Sequence, residues 1–187
     1  YSIGKVRSFY GNIQVVLRAY CWVMSLGADG LRTVAETAVL NNRYLNKRLL
    51  SEVRGLSMGY PENEKRLHEI RYSWEQLRKD TGVDTWSVFR RMADYGTGGY
   101  FASHEPRVVP EPMTPEPTET FSKDDIDEFT EIVKQVAEEA YSNPDLVKTV
   151  PHKRAVHLTD DRQLHDVDQL ATTARAWSKK RLTRISD

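Results

Sequence analysis

Glu116-Pro117-Thr118-Glu119-Thr120 places two acids around a Pro-Thr pair. The proline-rich stretch Val109-Pro110-Glu111-Pro112-Met113-Thr114-Pro115 runs into it, and Ser122-Lys123-Asp124-Asp125 follows almost at once. Proline fixes φ and removes a backbone donor, so the first part reads as a stiff loop. Ser122 followed three residues later by Asp125 is a variant of the capping box with Asp in place of Glu, and it predicts a helix start. The helix is expected from Lys123 to about Ser142, burying Ile126, Phe129, Ile132, Val133, Val136, Ala137 and Ala140. Asp124, Asp125 and Asp127 in its first turn complement the helix dipole. Asn143-Pro144 stops it.

Upstream of the loop, Asp84 reads as the N-cap of a helix through Asp94, with Trp86, Val88, Phe89 and Met92 apolar. Residues 95–121 are irregular, rich in Gly and Pro, and long enough to suggest a functional loop. Glu69-Ile70-Arg71-Tyr72-Ser73-Trp74 alternates polar and apolar side chains, as a half-buried strand does. Asp29 is a cap for a helix from about Gly30 to Leu50. Its stripe Leu31, Val34, Ala35, Ala38 and Val39 continues through Tyr44, Leu45, Leu49 and Leu50, with Arg43, Lys47 and Arg48 near its C-terminal end. Before it, residues 13–26 are apolar on nearly every side, the pattern of a helix buried all round between domains or subunits. Gly27 is its C-cap, and Gly4 and Gly11 punctuate a leading loop. Residues 145–187 are polar and read as a surface wrap, with a helix from Val167 to Ile185. The order of elements predicts an α+β chain with a small sheet, divided as 1–28, 29–145 and 146–187.

The 187 residues carry 27 Lys+Arg and 27 Asp+Glu, so zero net charge argues against a polyanionic partner. Charged residues make up 29% and hydrophobic ones 39%, a balance common in a cytoplasmic protein that docks against another chain. The single cysteine, Cys21, excludes an intrachain disulfide and a cysteine metal cluster, and its apolar surroundings make it a small buried side chain. No apolar run is long enough to span a bilayer, and no signal peptide is present. The chain begins at Tyr1 and not at Met, which leads to the expectation that an N-terminal part belongs before it. His152, His157 and His165 with Asp160 and Asp161 match no ligand spacing, so no metal is expected. Arg175, Lys179, Lys180, Arg181 and Arg184 read as a solvated helix face or docking tail, not a nucleic-acid surface. Trp74, Trp86 and Trp177 are read as packing residues.

Several short motifs occur in one order: Ser2 to Asn12, Arg18-Ala19-Tyr20, Gly30-Leu31, Asn42-x-Tyr44-Leu45, His68-Glu69, Lys79-x-Thr81-Gly82-Val83, Asp94-Tyr95-Gly96, Glu116 to Thr120 with Ser122 and Asp127, and Leu146 through Pro151-His152. This ordered set, over about residues 2–157, resembles the C-terminal part of the P-protein of the glycine cleavage system, a pyridoxal-phosphate-dependent glycine decarboxylase.

The resemblance implies the C-terminal small domain of a fold-type-I, aspartate-aminotransferase-like enzyme, preceded by a long interdomain helix. No lysine here lies in the His-Lys setting that the family uses for the aldehyde. The implied pyridoxal 5'-phosphate is then held mainly by a missing segment or a larger partner chain bearing that lysine. The expected activity is that of a decarboxylating glycine dehydrogenase, an oxidoreductase inactive as this chain alone, with a lipoyl carrier protein as acceptor and a homo- or hetero-oligomer as assembly. By the same resemblance Thr118 and Tyr95 are the catalytic candidates, Thr118 through a hydrogen bond to a carboxylate oxygen. Ser8, Tyr10, Asn12, Gly96, Thr97, Glu116 and Glu119 are the pocket candidates. Three departures stand against the family pattern. Asp94-Tyr95-Gly96 is followed by Thr97-Gly98-Gly99-Tyr100-Phe101, where the family has a histidine and Pro-Thr, the segment between Leu56 and His68 is very polar, and the end from His157 to Asp187 diverges. They leave open another small amino acid or amine as substrate, and a non-catalytic assembly subunit. On local grounds Gly96 is also a plain helix cap and Tyr10-Gly11-Asn12 a helix-leading turn.

Overall fold

The computed structural model describes residues 1–6, 9, 11–61, 66–104, 108–155, 173–175 and 177–178. Its elements are α1 (Ile13–Glu52), β1 (Ser57–Met58), β2 (Tyr72–Ser73), α2 (Glu75–Thr81), α3 (Thr85–Asp94), β3 (Pro112–Met113), α4 (Lys123–Ser142) and α5 (Pro144–Lys148). The chain is a mixed helix-and-sheet fold.

The helix starts follow their capping chemistry. Asp84 Oδ1 accepts from Ser87 N at 2.8 Å at the head of α3. At α4 the reciprocal box is complete, with Asp125 N donating to Ser122 Oγ and Ser122 N donating to Asp125 Oδ2. Each satisfies N–H groups that a helix start otherwise leaves without partners. Helices α2 and α5, absent from the sequence reading, are short. Helix α2 begins at Trp74 without a side-chain cap and ends at Gly82 in the left-handed conformation (φ 73°).

The sheet is antiparallel in the order β1-β2-β3, with Ser57 opposite Ser73 and Tyr72 opposite Met113. The expected strand over 69–74 shortens to Tyr72–Ser73. Immediately after it, Trp74 N donates to Glu111 O at 2.9 Å and Trp74 O accepts the first bond of α2. Tyr72, Ser73 and Trp74 are all buried, so this is the central strand of the sheet and not one with a solvated face.

Helix α4 packs against α1, α2, α3 and α5, with Val133, Val136 and Ala140 enclosed. The C-terminal part of α1 lies beside it, held by apolar Leu45 and Leu49 and by an ionic cluster. Arg48 donates to Asp127 at 2.6 Å and to Glu131 and Glu52 at 2.7 Å, and Tyr44 donates to Asp127 at 2.5 Å. The basic residues read as dipole partners thus act largely through Arg48, which ties two helices together. The core also continues past residue 145. Val147 and Val150 are buried, so the first residues of the segment read as a polar wrap belong to the core. The expected helix over 167–185 lies mostly outside the described residues.

The N-terminal half of α1 differs most from expectation. Residues 13–26 form the helix, but within this chain they are exposed: Val16 56%, Tyr20 60% and Met24 64%. Cys21 is exposed as well. Apolar surface on every side of a helix gives it nothing to gain from water, and no described part of this chain covers it. Gly27 ends the first helical segment as expected: at φ 63° and ψ −173° it makes a kink at which two helical segments of α1 meet. Asp29 does not cap a new helix there, and its carbonyl accepts from Thr33 Oγ1 at 3.0 Å.

Candidate functional site

A cavity of about 580 Å³ opens between α1, the first turns of α4, the loop that follows α3 and the residues after β3. Leu45, Ile126 and Phe129 make its apolar floor, and Tyr95, Tyr100, Phe101 and Phe121 its aromatic walls. Each wall is placed by a local cause. Phe101 is set by the bridge to Thr114, where Thr114 N donates to Phe101 O at 2.8 Å. Tyr100 donates to Thr85 O at 2.6 Å, and burial pushes its hydroxyl pKa up. Its ring meets Phe89 edge-on at 5.7 Å between centroids, and Phe89 in turn leaves no room beside Gly99 for a side chain.

Four carboxylates line the same space: Glu69, Glu116, Asp125 and Glu128. Glu116 Oε1 stands 3.5 Å from His68 Nε2. The hydrogen bonds of Ser122 hold the Asp125 carboxyl below its usual range. Among the described residues that line it there is no lysine or arginine. Such a space suits an apolar group ending in a cation or a hydrogen-bond donor, and disfavours an anion.

The structure brings four of the sequence-derived candidates to this cavity: Tyr95, Gly96, Thr97 and Glu116. Tyr95 contributes its ring, while its hydroxyl donates to Glu139. Burial first, and then the Glu139 carboxylate, raise the Tyr95 pKa. Gly96 follows the C-cap of α3 at φ 85°, so the plain cap reading and the cavity reading hold together. Thr118 and Glu119 are not in the cavity wall. They form the adjoining turn, where Thr118 Oγ1 and Thr120 Oγ1 are 2.7 Å apart. Asn12 lies at the other end of α1 and caps it, with Oδ1 accepting from Gln14 N at 3.2 Å. Ser8 and Tyr10 lie outside the described residues.

Sequence reasoning missed Glu69, Asp125 and Glu128 as cavity acids. Asp125 was absorbed into its capping role. Glu128, three residues on, shares a helix face with it, and that spacing was the signal available. It also missed Asn41, whose Nδ2 donates to Thr118 O at 2.8 Å and to Phe121 O at 2.9 Å. Among the described residues, no three metal-ligating side chains converge, and no helix is long and apolar enough to cross a membrane.

The family model described as "Glycine dehydrogenase, C-terminal domain" matches residues 34–155. The chain belongs to that family. The matched span contains the whole sheet, helices α2 to α5 and every residue of the cavity. Among relatives of this glycine dehydrogenase C-terminal-domain chain, the "Probable glycine dehydrogenase (decarboxylating) subunit 2" of Pyrococcus furiosus is 44% identical over 163 residues, which is 86% of this chain and 31% of that protein. The protein of the same name from Thermotoga maritima is 39% identical over 163 residues, 86% of this chain and 32% of that protein. A crystal structure of glycine decarboxylase (P-protein) of the glycine cleavage system, in inhibitor-bound form, matches with a TM-score of 0.56 and 25% identity over 70% of this chain and 28% of that one. The chain thus spans about a third of the length of the curated relatives it matches.

Proposed function

We propose that this chain is the C-terminal module of a P-protein-like, glycine-decarboxylating enzyme of the fold-type-I pyridoxal-phosphate class. The observation that carries the reading is the 44% identity to a decarboxylating glycine dehydrogenase subunit over 86% of the chain. In that reading the exposed apolar half of α1 is a junction. It docks against the remaining part of the enzyme, whether on the same polypeptide or a larger partner, and becomes buried there.

The cavity residues do not fit pyridoxal phosphate as its principal anchor. A phosphate or a substrate carboxylate needs cations or free N–H groups, and among the described residues the wall offers four carboxylates and no basic side chain. The hydroxyls of Tyr95 and Tyr100 are already committed to Glu139 and Thr85. Among the described residues none supplies the lysine or the phosphate contacts, and we assign both to the remaining part of the enzyme. What the module supplies is enclosure: aromatic walls that exclude water, and acids that meet a basic group brought by the remaining part of the enzyme. Thr118, on the adjoining turn, and the ring of Tyr95 remain the site contacts proposed here. Transfer of an aminomethyl group to a lipoyl carrier is part of the same proposal.

The run Gly96-Thr97-Gly98-Gly99 favours a second reading, an assembly subunit without catalysis, because it places no titratable side chain where the family pattern has histidine. The assay that separates the two uses the complete assembly and measures carbon dioxide released from glycine. Release that falls at least tenfold with Thr118→Ala, while assembly is retained, supports the enzymatic reading. An intact assembly with no release would falsify it for glycine.

A further inference from the structure

Two neighbouring side chains on α1 each hold one lip of the cavity. Asn41 Nδ2 donates to two carbonyls of the 116–121 turn, Thr118 O at 2.8 Å and Phe121 O at 2.9 Å. Asn42 is fully enclosed, and its Nδ2 donates to Leu67 O at 3.0 Å. Leu67 directly precedes His68 and the cavity acid Glu69. The lips meet where His68 Nε2 lies 3.5 Å from Glu116 Oε1. Consecutive helix positions diverge by roughly 100°, so the pair reaches in two directions from one rigid element. Leu45, one turn further along, lies in the cavity wall itself.

The Thr118 carbonyl accepts within the turn from Phe121 N at 3.3 Å, and an asparagine amide supplies two further donors at one point. One Asn41 amide therefore bonds both the Thr118 and Phe121 carbonyls and ties the closed turn to α1. Neither Asn41 nor Asn42 is among the residues that line the cavity.

We propose that Asn41 and Asn42 are positioning residues that set the separation between the 67–69 and 116–121 lips, and through it the width of the cavity mouth. Their use in catalysis rests on the function proposed above, whereas the lip spacing itself does not.

The test uses the complete native protein. With Cys21 and every other reactive cysteine of the complete protein replaced by serine as background, His68→Cys and Glu116→Cys are introduced, and the rate of bridging by a short bismaleimide is compared with and without Asn41→Leu. Loss of the two amide bonds is expected to lower the bridging rate by about tenfold. In the unlabelled enzyme, Asn41→Leu is expected to raise KM for glycine about tenfold with kcat within about twofold, the signature of lost binding geometry. Asn41→Gln, which keeps the amide but overreaches by a methylene, provides a second variant if the leucine form does not fold. A lowered melting temperature with unchanged bridging and unchanged KM would show a stabilising brace only, and the proposal would be overturned. If the parent enzyme shows no activity on glycine, the function proposed above fails, while the bridging rate still decides the present inference.

Discussion

The Asp94 carboxylate at the end of α3 accepts the backbone N–H of His152 at 2.9 Å and that of Lys153 at 2.8 Å. Arg91 adds a third donor at 3.2 Å, and Arg91 also grips Glu139 on α4 at 2.7 Å. One buried carboxylate therefore ties the segment that follows α5 to α3, and through Arg91 to α4.

Asp94→Asn should be destabilising, by about 1–3 kcal/mol, because it places an amide donor against two N–H donors and removes one of the two carboxylate partners of Arg91. Burial alone would raise the Asp94 carboxyl. The Lys153 and His152 N–H groups and Arg91 outweigh it and hold the group below its usual range. A depressed carboxylate stabilises the fold at pH above its unfolded value of about 3.9, and that contribution is lost as pH falls below this value. Urea melts across acid pH should show the parent chain losing this contribution below about pH 4, and Asp94→Asn lacking that part of the slope.

Gly99→Ala should be costly although the position is not deeply buried. A Cβ built there would lie 1.8 Å from Phe89 Cε2, and Phe89 is wedged between Trp86 and Tyr100. Ring and loop must separate, at about 1–3 kcal/mol. Thermal melting measures the loss, and a crystal structure of the variant should show the 96–100 loop displaced.

Tyr95→Phe should remove one hydrogen bond to Glu139 and keep the aromatic wall. Arg91 still satisfies Glu139, so a loss of about 1 kcal/mol is expected. Turnover of the complete enzyme should stay within about threefold of the parent, because the hydroxyl points its proton at Glu139 and away from the cavity. A fall of a hundredfold would instead make Tyr95 a catalytic residue.

Val16→Asp should leave the melting temperature of this chain nearly unchanged, since exposed positions rarely shift stability by more than about 0.5 kcal/mol. The same change should abolish assembly with the remaining part of the enzyme, where a buried unpaired charge is prohibitive. Co-purification from a co-expression strain provides the reading.

Helix α4 was legible because its signals are local: Ser122 and Asp125 at cap spacing, apolar side chains at helical spacing, and Asn143-Pro144 at the end. Helix α3 was legible through Asp84 for the same reason. The sheet was legible only as a trace at Tyr72. Its pairings join Tyr72 to Met113 and Ser57 to Ser73, and each strand is too short to show alternation of its own. Of the site, the aromatic-glycine loop and Glu116 were readable as a long irregular segment. Asn41 was not, because a polar residue on a helix gives no hint that its amide reaches a turn about eighty positions away. Residues 13–26, read as buried between domains or subunits, are exposed within this chain, because an all-apolar pattern reports a need for cover and not the identity of what supplies it.

Gly27 gives α1 an articulation. Its combination of positive φ with ψ near 180° is accessible essentially to glycine alone. The first fourteen residues of α1 therefore form an arm of about 21 Å whose bearing is chosen by one backbone torsion pair, while the register of Asn41 and Leu45 against the cavity stays as it is. Replacing Gly27 would therefore re-aim the arm while leaving the enclosed residues of the interior unchanged.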